Sequence, residues 1–235
     1  MVPNFKREEQ IVKKARNWIA CLLLISGMIT VFNSPLTDFL IESYRPVVQA
    51  TSNSKTTPED WSDVQLVNLF SVAKARVSHP EVHVIGAVYN EKMHLNTPIA
   101  NGVDNTIFSL CAGTLKPHEK MGQGNYVLAA HNVDDRSHAL FSPLYRNCHK
   151  GDEISVTDFN TAYTFRIDKI KVVSANDVSI LTDTRQPILT LVTCDSSNSK
   201  RVVYVGRLVT IAKYSKLPQH TRDFLTPKYK IKGLI

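Results

Sequence analysis

The chain has 235 residues, 43% hydrophobic and 21% charged, with only 9 Gly and 11 Pro. That excludes a disordered, collagen-like or many-span membrane chain and leaves room for one domain with its own core. The net charge of +7 invites a nucleic-acid partner, but residues 1–16 carry +3, residues 212–235 carry +5 and the body 17–211 comes to −1, so no nucleic-acid partner is expected.

In chain order, the basic segment 1–16 is followed by 21 uncharged residues, 17–37, densest from Trp18 to Phe32. A helix of about 20 residues crosses the hydrocarbon layer, so 17–37 is expected to be a transmembrane helix. Basic residues precede it and none follows until Arg45. That places the N-terminus in the cytoplasm and the rest of a single-pass protein outside the cell membrane. A cleaved signal peptide is the rival reading, with Asn33-Ser34-Pro35 a poor substitute for an Ala-x-Ala-like site; a buried core helix is the third.

Residues 38–58 read as a linker, polar from Thr51 to Thr57. Thr57-Pro58-Glu59-Asp60 is a helix-start signal: a cap residue, Pro in the first turn, then acids at the positive end. Trp61, Val64, Val67 and Phe70 follow at helical spacing and predict an amphipathic helix over about 59–76, within a segment 59–79 that packs on the main domain. His79-Pro80 stops it.

The body, 80–211, changes to strand patterns: Val82–Val88, Asn125–Ala130, Glu153–Thr157, Tyr163–Val173, Ile188–Cys194 and Val202–Ile211. No helices alternate with them, so a mainly β fold is expected, a closed or nearly closed antiparallel-rich β-barrel with short helices. The basic tail 212–235 either packs back through Phe224, Leu225 and Ile231 or stays loose on an anionic surface, and its charge favours the second.

Cys21 lies inside the apolar span, leaving Cys111, Cys148 and Cys194 outside it. An odd number outside a cell flags one free thiol; Cys111 and Cys148 could pair. Cys194 ends the apolar run 187–193 and meets the polar stretch Asp195–Ser199. A strand end on a rigid scaffold can present a nucleophile, and it can equally bury a small thiol. His131 ends a second apolar run, Tyr126–Ala130, and opens a polar loop. It is a candidate general acid and base, or a structural histidine. Arg201 starts the strand that follows Cys194 by seven residues, close enough to fold back beside the thiol and bind an oxyanion. A surface arginine is the plainer alternative, and Arg207 is a weaker rival. No Cys-x-x-Cys spacing occurs, so no metal is expected.

These residues resemble a known family. Thr190-Leu191-Val192-Thr193-Cys194 matches the TLxTC signature of sortases, and Leu128-Ala129-Ala130-His131-Asn132 is similar to their LAGH-type histidine segment. Arg201–Gly206 resembles their arginine strand, and Leu140-Phe141-Ser142-Pro143-Leu144 matches the loop after the histidine in many class A members. The resemblance covers roughly 80–211, in the order His, Cys, Arg; Ala130 stands where the family usually has Gly. The anchor, the helix before the barrel and the lack of a second apolar span also resemble class A.

The resemblance implies a sortase-type β-barrel and a Gram-positive cysteine transpeptidase. Such an enzyme cleaves an LPxTG-like signal of surface proteins between Thr and Gly and passes the acyl group to an amine of a lipid II-like peptidoglycan precursor. Cys194 would be the nucleophile, His131 the acid and base, and Arg201 the oxyanion partner. Ala129, Val192 and Thr193, with a lid of Val178, Ile180 and Leu181, would line the substrate groove, or else be plain barrel core. No cofactor is implied: the acidic cluster that binds calcium in some members has no counterpart in 95–110, where Asp104 stands alone. Two alternatives are an L,D-transpeptidase-like wall crosslinker, whose SHG-x-C arrangement is absent, and a non-catalytic anchored barrel that binds wall components.

Overall fold

The structure, a computed structural model, describes residues 5–48, 67–78 and 82–231. In chain order the elements are α1 (Phe5–Glu42), β1 (Val47–Val48), α2 (Leu69–Ser78), β2 (Val84–Asn90), β3 (Leu95–Ala100), α3 (Asn105–Leu110), β4 (Ala112–Thr114), β5 (Asn125–Ala129), α4 (Ser142–Asn147), β6 (Glu153–Thr157) and β7 (Thr161–Ser174). A short 3₁₀ helix (Val178–Leu181), β8 (Ile188–Cys194), β9 (Lys200–Lys213), α5 (Gln219–Leu225) and β10 (Lys230–Ile231) complete it.

Eight strands close a barrel in the order β2-β3-β4-β5-β8-β9-β7-β6, with β6 returning to pair with β2. Most pairs are antiparallel; β3–β4 and β5–β8 are parallel. Gly86 lies at the closing seam, where a Cβ would stand 2.2 Å from the Thr157 carbonyl oxygen. Any side chain there would force β2 and β6 apart.

Strand alternation divides the side chains between two apolar regions. Tyr126 and Leu128 of β5, Leu189 and Leu191 of β8, and Val202 and Tyr204 of β9 join the main core inside the barrel. Val127, Val192 and Val203 of the same strands point outward into a second cluster, with Val103, Phe108 and Leu115, covered by Ile180 of the 3₁₀ helix. Because β8 is buried on both faces, its sequence is continuously apolar and β-branched rather than alternating.

Helix α1 runs well past 17–37 at both ends, with Pro35 inside it. Among the described residues no single straight helix is both long and apolar enough to cross a membrane; Gln10–Met28 and Thr30–Glu42 meet at 42° and pass that test together. Thr30 Oγ1 donates to the Ser26 carbonyl at 2.9 Å beside the bend, a back-bond that bends helices.

Several boundaries differ from the sequence expectation. Residues 38–42 are helix and Val47–Val48 a strand, so 38–48 is not linker. The predicted helix start at 57–60, with Trp61 and Val64, lies outside the described residues. The helix described begins only at Leu69. Asn68 caps it: its Oδ1 accepts from Ser71 N at 2.9 Å while Ser71 Oγ accepts from Asn68 N at 3.0 Å.

The tail does not stay loose. Leu225 and Tyr229 are buried in the main core, with Phe224 and Ile231 packed against it. Lys228 donates through Nζ to the Asn96 carbonyl at 2.6 Å, and Tyr229 Oη donates to Asn96 Oδ1 at 2.7 Å. Burial pulls the Lys228 ammonium down to about 8. β10 then pairs in parallel with β1, which pairs in parallel with β2. The charge count misleads here because Lys228 buries its stem and satisfies its head on a carbonyl.

Candidate active site

Three neighbouring strands end together. β5 and β8 run parallel with Ala129 opposite Val192, and Ala130 N donates to the Val192 carbonyl at 3.2 Å. His131 lies two residues past Ala129, as Cys194 lies two past Val192. β9 returns antiparallel, with Arg201 directly opposite Cys194. Adjacent strands lie about 4.8 Å apart, so His131, Cys194 and Arg201 occupy one short stretch of rim. Alternation also puts Cys194 on the face of Val192 and Arg201 on the face of Val203, the outward face of the second apolar cluster. His131 meets the same cluster, its ring edge-on to Phe108 with centroids 5.7 Å apart.

Each side chain is held by its own surroundings. Cys194 is half-buried. Burial pushes its thiol up, the Arg201 guanidinium pulls it down and Asp195 raises it, with a net upward shift. His131 is buried, and its carbonyl accepts from Phe141 N at 3.0 Å, closing the base of the loop that follows. Arg201 Nη1 donates to the carbonyls of Asn198 and Lys200 at 3.3 and 3.2 Å, which holds the guanidinium over the β8–β9 turn. That turn is fixed by Asp195, which donates to Lys200 O and accepts from Lys200 N, both at 3.1 Å. Ser196 N donates to Tyr145 Oη at 3.4 Å and ties the turn to α4.

Arg207 sits opposite Ile188 at the far end of the hairpin, where its Nε pairs with Asp168 at 2.7 Å. Cys111 and Cys148 are free and buried. Burial pushes the Cys111 thiol well up and the Cys148 thiol to about 12, so neither forms a thiolate near neutral pH. The Asp104 side chain caps α3, accepting from Ile107 N at 2.7 Å. Among the described residues no group of three His, Cys, Asp or Glu is arranged to hold a metal.

The groove candidates divide. Val192 and Ile180 are members of the second cluster, and Ala129 and Leu181 pack against it, so these four meet beside Cys194. Val178, 73% exposed, points away from that cluster. Thr193 is buried on the opposite, barrel-side face, where its hydroxyl donates to the Ala130 carbonyl at 2.9 Å. It staples the cysteine strand to the histidine strand and does not line the outward face.

Two supporting residues are absent from the sequence reading. Phe108, on α3, backs the His131 ring. Asn125 Nδ2 donates to Ile180 O and Thr182 O at 2.8 and 3.0 Å, while its Oδ1 accepts from Thr190 Oγ1 at 2.7 Å. One buried amide thus fixes the 3₁₀ helix onto β5 and β8. The polar Asn125 opening an apolar run is the signal that could have marked it.

A thiol, an imidazole and a guanidinium on one rim, beside an apolar face, can carry out acyl transfer: nucleophilic attack, proton exchange and oxyanion stabilisation.

Comparisons with known proteins agree with this chemistry. A family model, the sortase domain, matches residues 88–213. Sortase A of Streptococcus agalactiae serotype III is 32% identical over 241 residues, covering 96% of this chain and 97% of that protein. Sortase A of Listeria monocytogenes is 29% identical over 209 residues, covering 84% of this chain and 93% of that protein. The solved structure of the Listeria monocytogenes sortase A superimposes with a TM-score of 0.55 over 61% of this chain and 97% of that one, at 29% identity.

Proposed function

The chain belongs to the sortase family of transpeptidases, and from that premise we propose that it is a membrane-anchored class A member acting on LPxTG-like sorting signals of surface proteins. It cleaves the signal between Thr and Gly and transfers the acyl group to an amine of a peptidoglycan precursor. The observation that carries this reading is the register of β8 on β9, which sets Arg201 opposite Cys194 at the end where β5 delivers His131.

In the first half-reaction the Cys194 thiolate attacks the Thr carbonyl carbon and a C–S bond forms. The carbonyl oxygen gains negative charge, which the Arg201 guanidinium stabilises. The C–N bond to Gly breaks, and His131 gives its proton to the departing amine, leaving a thioester on Cys194. In the second, the acceptor amine attacks the thioester, His131 takes the proton released, and the C–S bond breaks to restore the thiolate. Because burial raises the Cys194 thiol, the reactive state is the one in which the thiolate is matched by positive charge on His131 and Arg201.

The uncharged stretch 17–37 supplies the anchor, with the basic segment 1–16 in the cytoplasm and the barrel outside. The apolar face holding Ala129, Val192, Ile180 and Leu181 is the surface against which the Leu-Pro part of the signal packs.

The test is direct. The full chain in detergent micelles, given an LPxTG-type peptide and an amine, should form an acyl adduct on Cys194 visible by mass spectrometry. Cys194→Ala should lower turnover about 10⁴-fold or more. Retained turnover in Cys194→Ala, or an adduct elsewhere, would refute the reading.

A further inference from the structure

The last turns of α1 lie against the loop that follows His131. Thr37 and Ile41 on these turns are buried, Ile41 in the main core. Ser34 Oγ donates to Asp134 Oδ2. Ser137 Oγ donates to Asp38 Oδ1 at 2.6 Å, and the His138 backbone N–H also donates to the Asp38 carboxylate. Two points on the helix therefore hold one loop.

That loop is tightly coupled to the histidine. Its ends are joined by Phe141 N donating to the His131 carbonyl at 3.0 Å, and Val133 N donates to Ser142 Oγ at 2.8 Å. Asp134 Oδ1 accepts from Arg136 N and Ser137 N at 2.7 and 2.8 Å, and Ser137 Oγ accepts from Ala139 N at 3.0 Å. Leu140 adopts a φ of 51°, and its carbonyl accepts from Thr97 Oγ1 at 2.8 Å. Ser137 is fully buried, so its hydroxyl has a strong demand for the acceptor that Asp38 supplies. Without the carboxylate, a buried donor is stranded in the middle of the loop whose base is His131.

We propose that Asp38, at the outer end of the anchor helix, is a positioning residue for His131, acting through Ser137. The anchor helix thereby forms part of the support of the catalytic rim as well as a tether. The proposal rests on the reading of His131 as the acid and base of the transpeptidation.

The experiment uses the full chain in detergent micelles, an LPxTG-type peptide and diglycine as the amine. Rates are normalised to titrated Cys194 thiol and compared well below each variant's melting midpoint. Asp38→Ala should lower kcat about 10-fold with KM changed less than about 2-fold, as expected when an interaction acts on the chemical step. Asp38→Asn keeps an oxygen that accepts from Ser137 Oγ and should recover to within about 3-fold of the unaltered chain. Ser137→Ala should match Asp38→Ala, and the double variant should be no worse than the worse single one, because both remove the same contact. Should Asp38→Ala fail to accumulate as folded protein, Ser137→Ala against Asp38→Asn carries the same comparison. Unchanged kcat in Asp38→Ala and Ser137→Ala, equal losses in Asp38→Asn and Asp38→Ala, or a loss confined to KM would each overturn the positioning role. If the unaltered chain forms no Cys194 adduct, the proposed reaction itself fails, and that result is distinct from all of these.

Discussion

The β8–β9 hairpin carries an arginine near each end, and the two ends differ in what surrounds it. At the base, Arg207 faces Ile188 and pairs with Asp168. At the rim, Arg201 faces Cys194 and, among the described residues, forms no ion pair; its Nη1 rests on two carbonyls of its own turn. One guanidinium is neutralised by a carboxylate, and the other keeps its charge for the thiol opposite. The same residue type on one strand therefore does different work because of its cross-strand partner, and a strand-face argument alone cannot separate the two.

Mutation can break or sharpen this contrast. The largest difference is expected from Arg201→Ala, which should lower kcat/KM by about 10²–10³-fold, the scale of losing an oxyanion donor. The same change removes the positive charge that lowers the Cys194 thiol, so the midpoint of its alkylation rate against pH should move up. A downward or absent shift would sever the link between the two residues. Thr193→Val is intermediate. It removes the hydroxyl donated to Ala130 O and leaves a buried carbonyl with one partner fewer, costing about 1 kcal/mol in a denaturant titration. Turnover should fall only a few-fold, since the residue staples strands and does not face the rim. The smallest kinetic effect belongs to Arg207→Ala, which should leave kcat/KM within about 2-fold and lower stability by no more than about 1 kcal/mol, the upper end for a partly exposed pair. A large kinetic loss there would erase the distinction between the two ends.

The sequence reading found the rim more readily than the frame around it. β6 and β8 were legible to the residue: β6 alternates Glu-Ile-Ser-Val-Thr up to the polar turn after Thr157, and β8 is a β-branched apolar run that meets an abrupt polar turn at Cys194. β3 was not, since Pro98 and two polar residues interrupt its pattern, and it is held by pairing with β2 rather than by its own periodicity. His131, Cys194 and Arg201 stood out because each sits where an apolar run stops or starts. Phe108, Asn125 and Asp38 did not, because their partners are distant in sequence and only the closed barrel brings them near. The tail failed for a related reason: counting lysines cannot reveal that one of them ends on the Asn96 carbonyl.

Only four residues, Ser43–Pro46, separate the end of α1 from β1, and β1 is clasped between β2 and β10. Fully extended, that stretch reaches about 14 Å. With α1 set in a bilayer as proposed, the catalytic rim is held at a nearly constant height above the lipid rather than swinging on a leash. Its working radius is that of a bench-mounted tool: both the sorting signal and the acceptor have to be brought to the membrane surface to meet it.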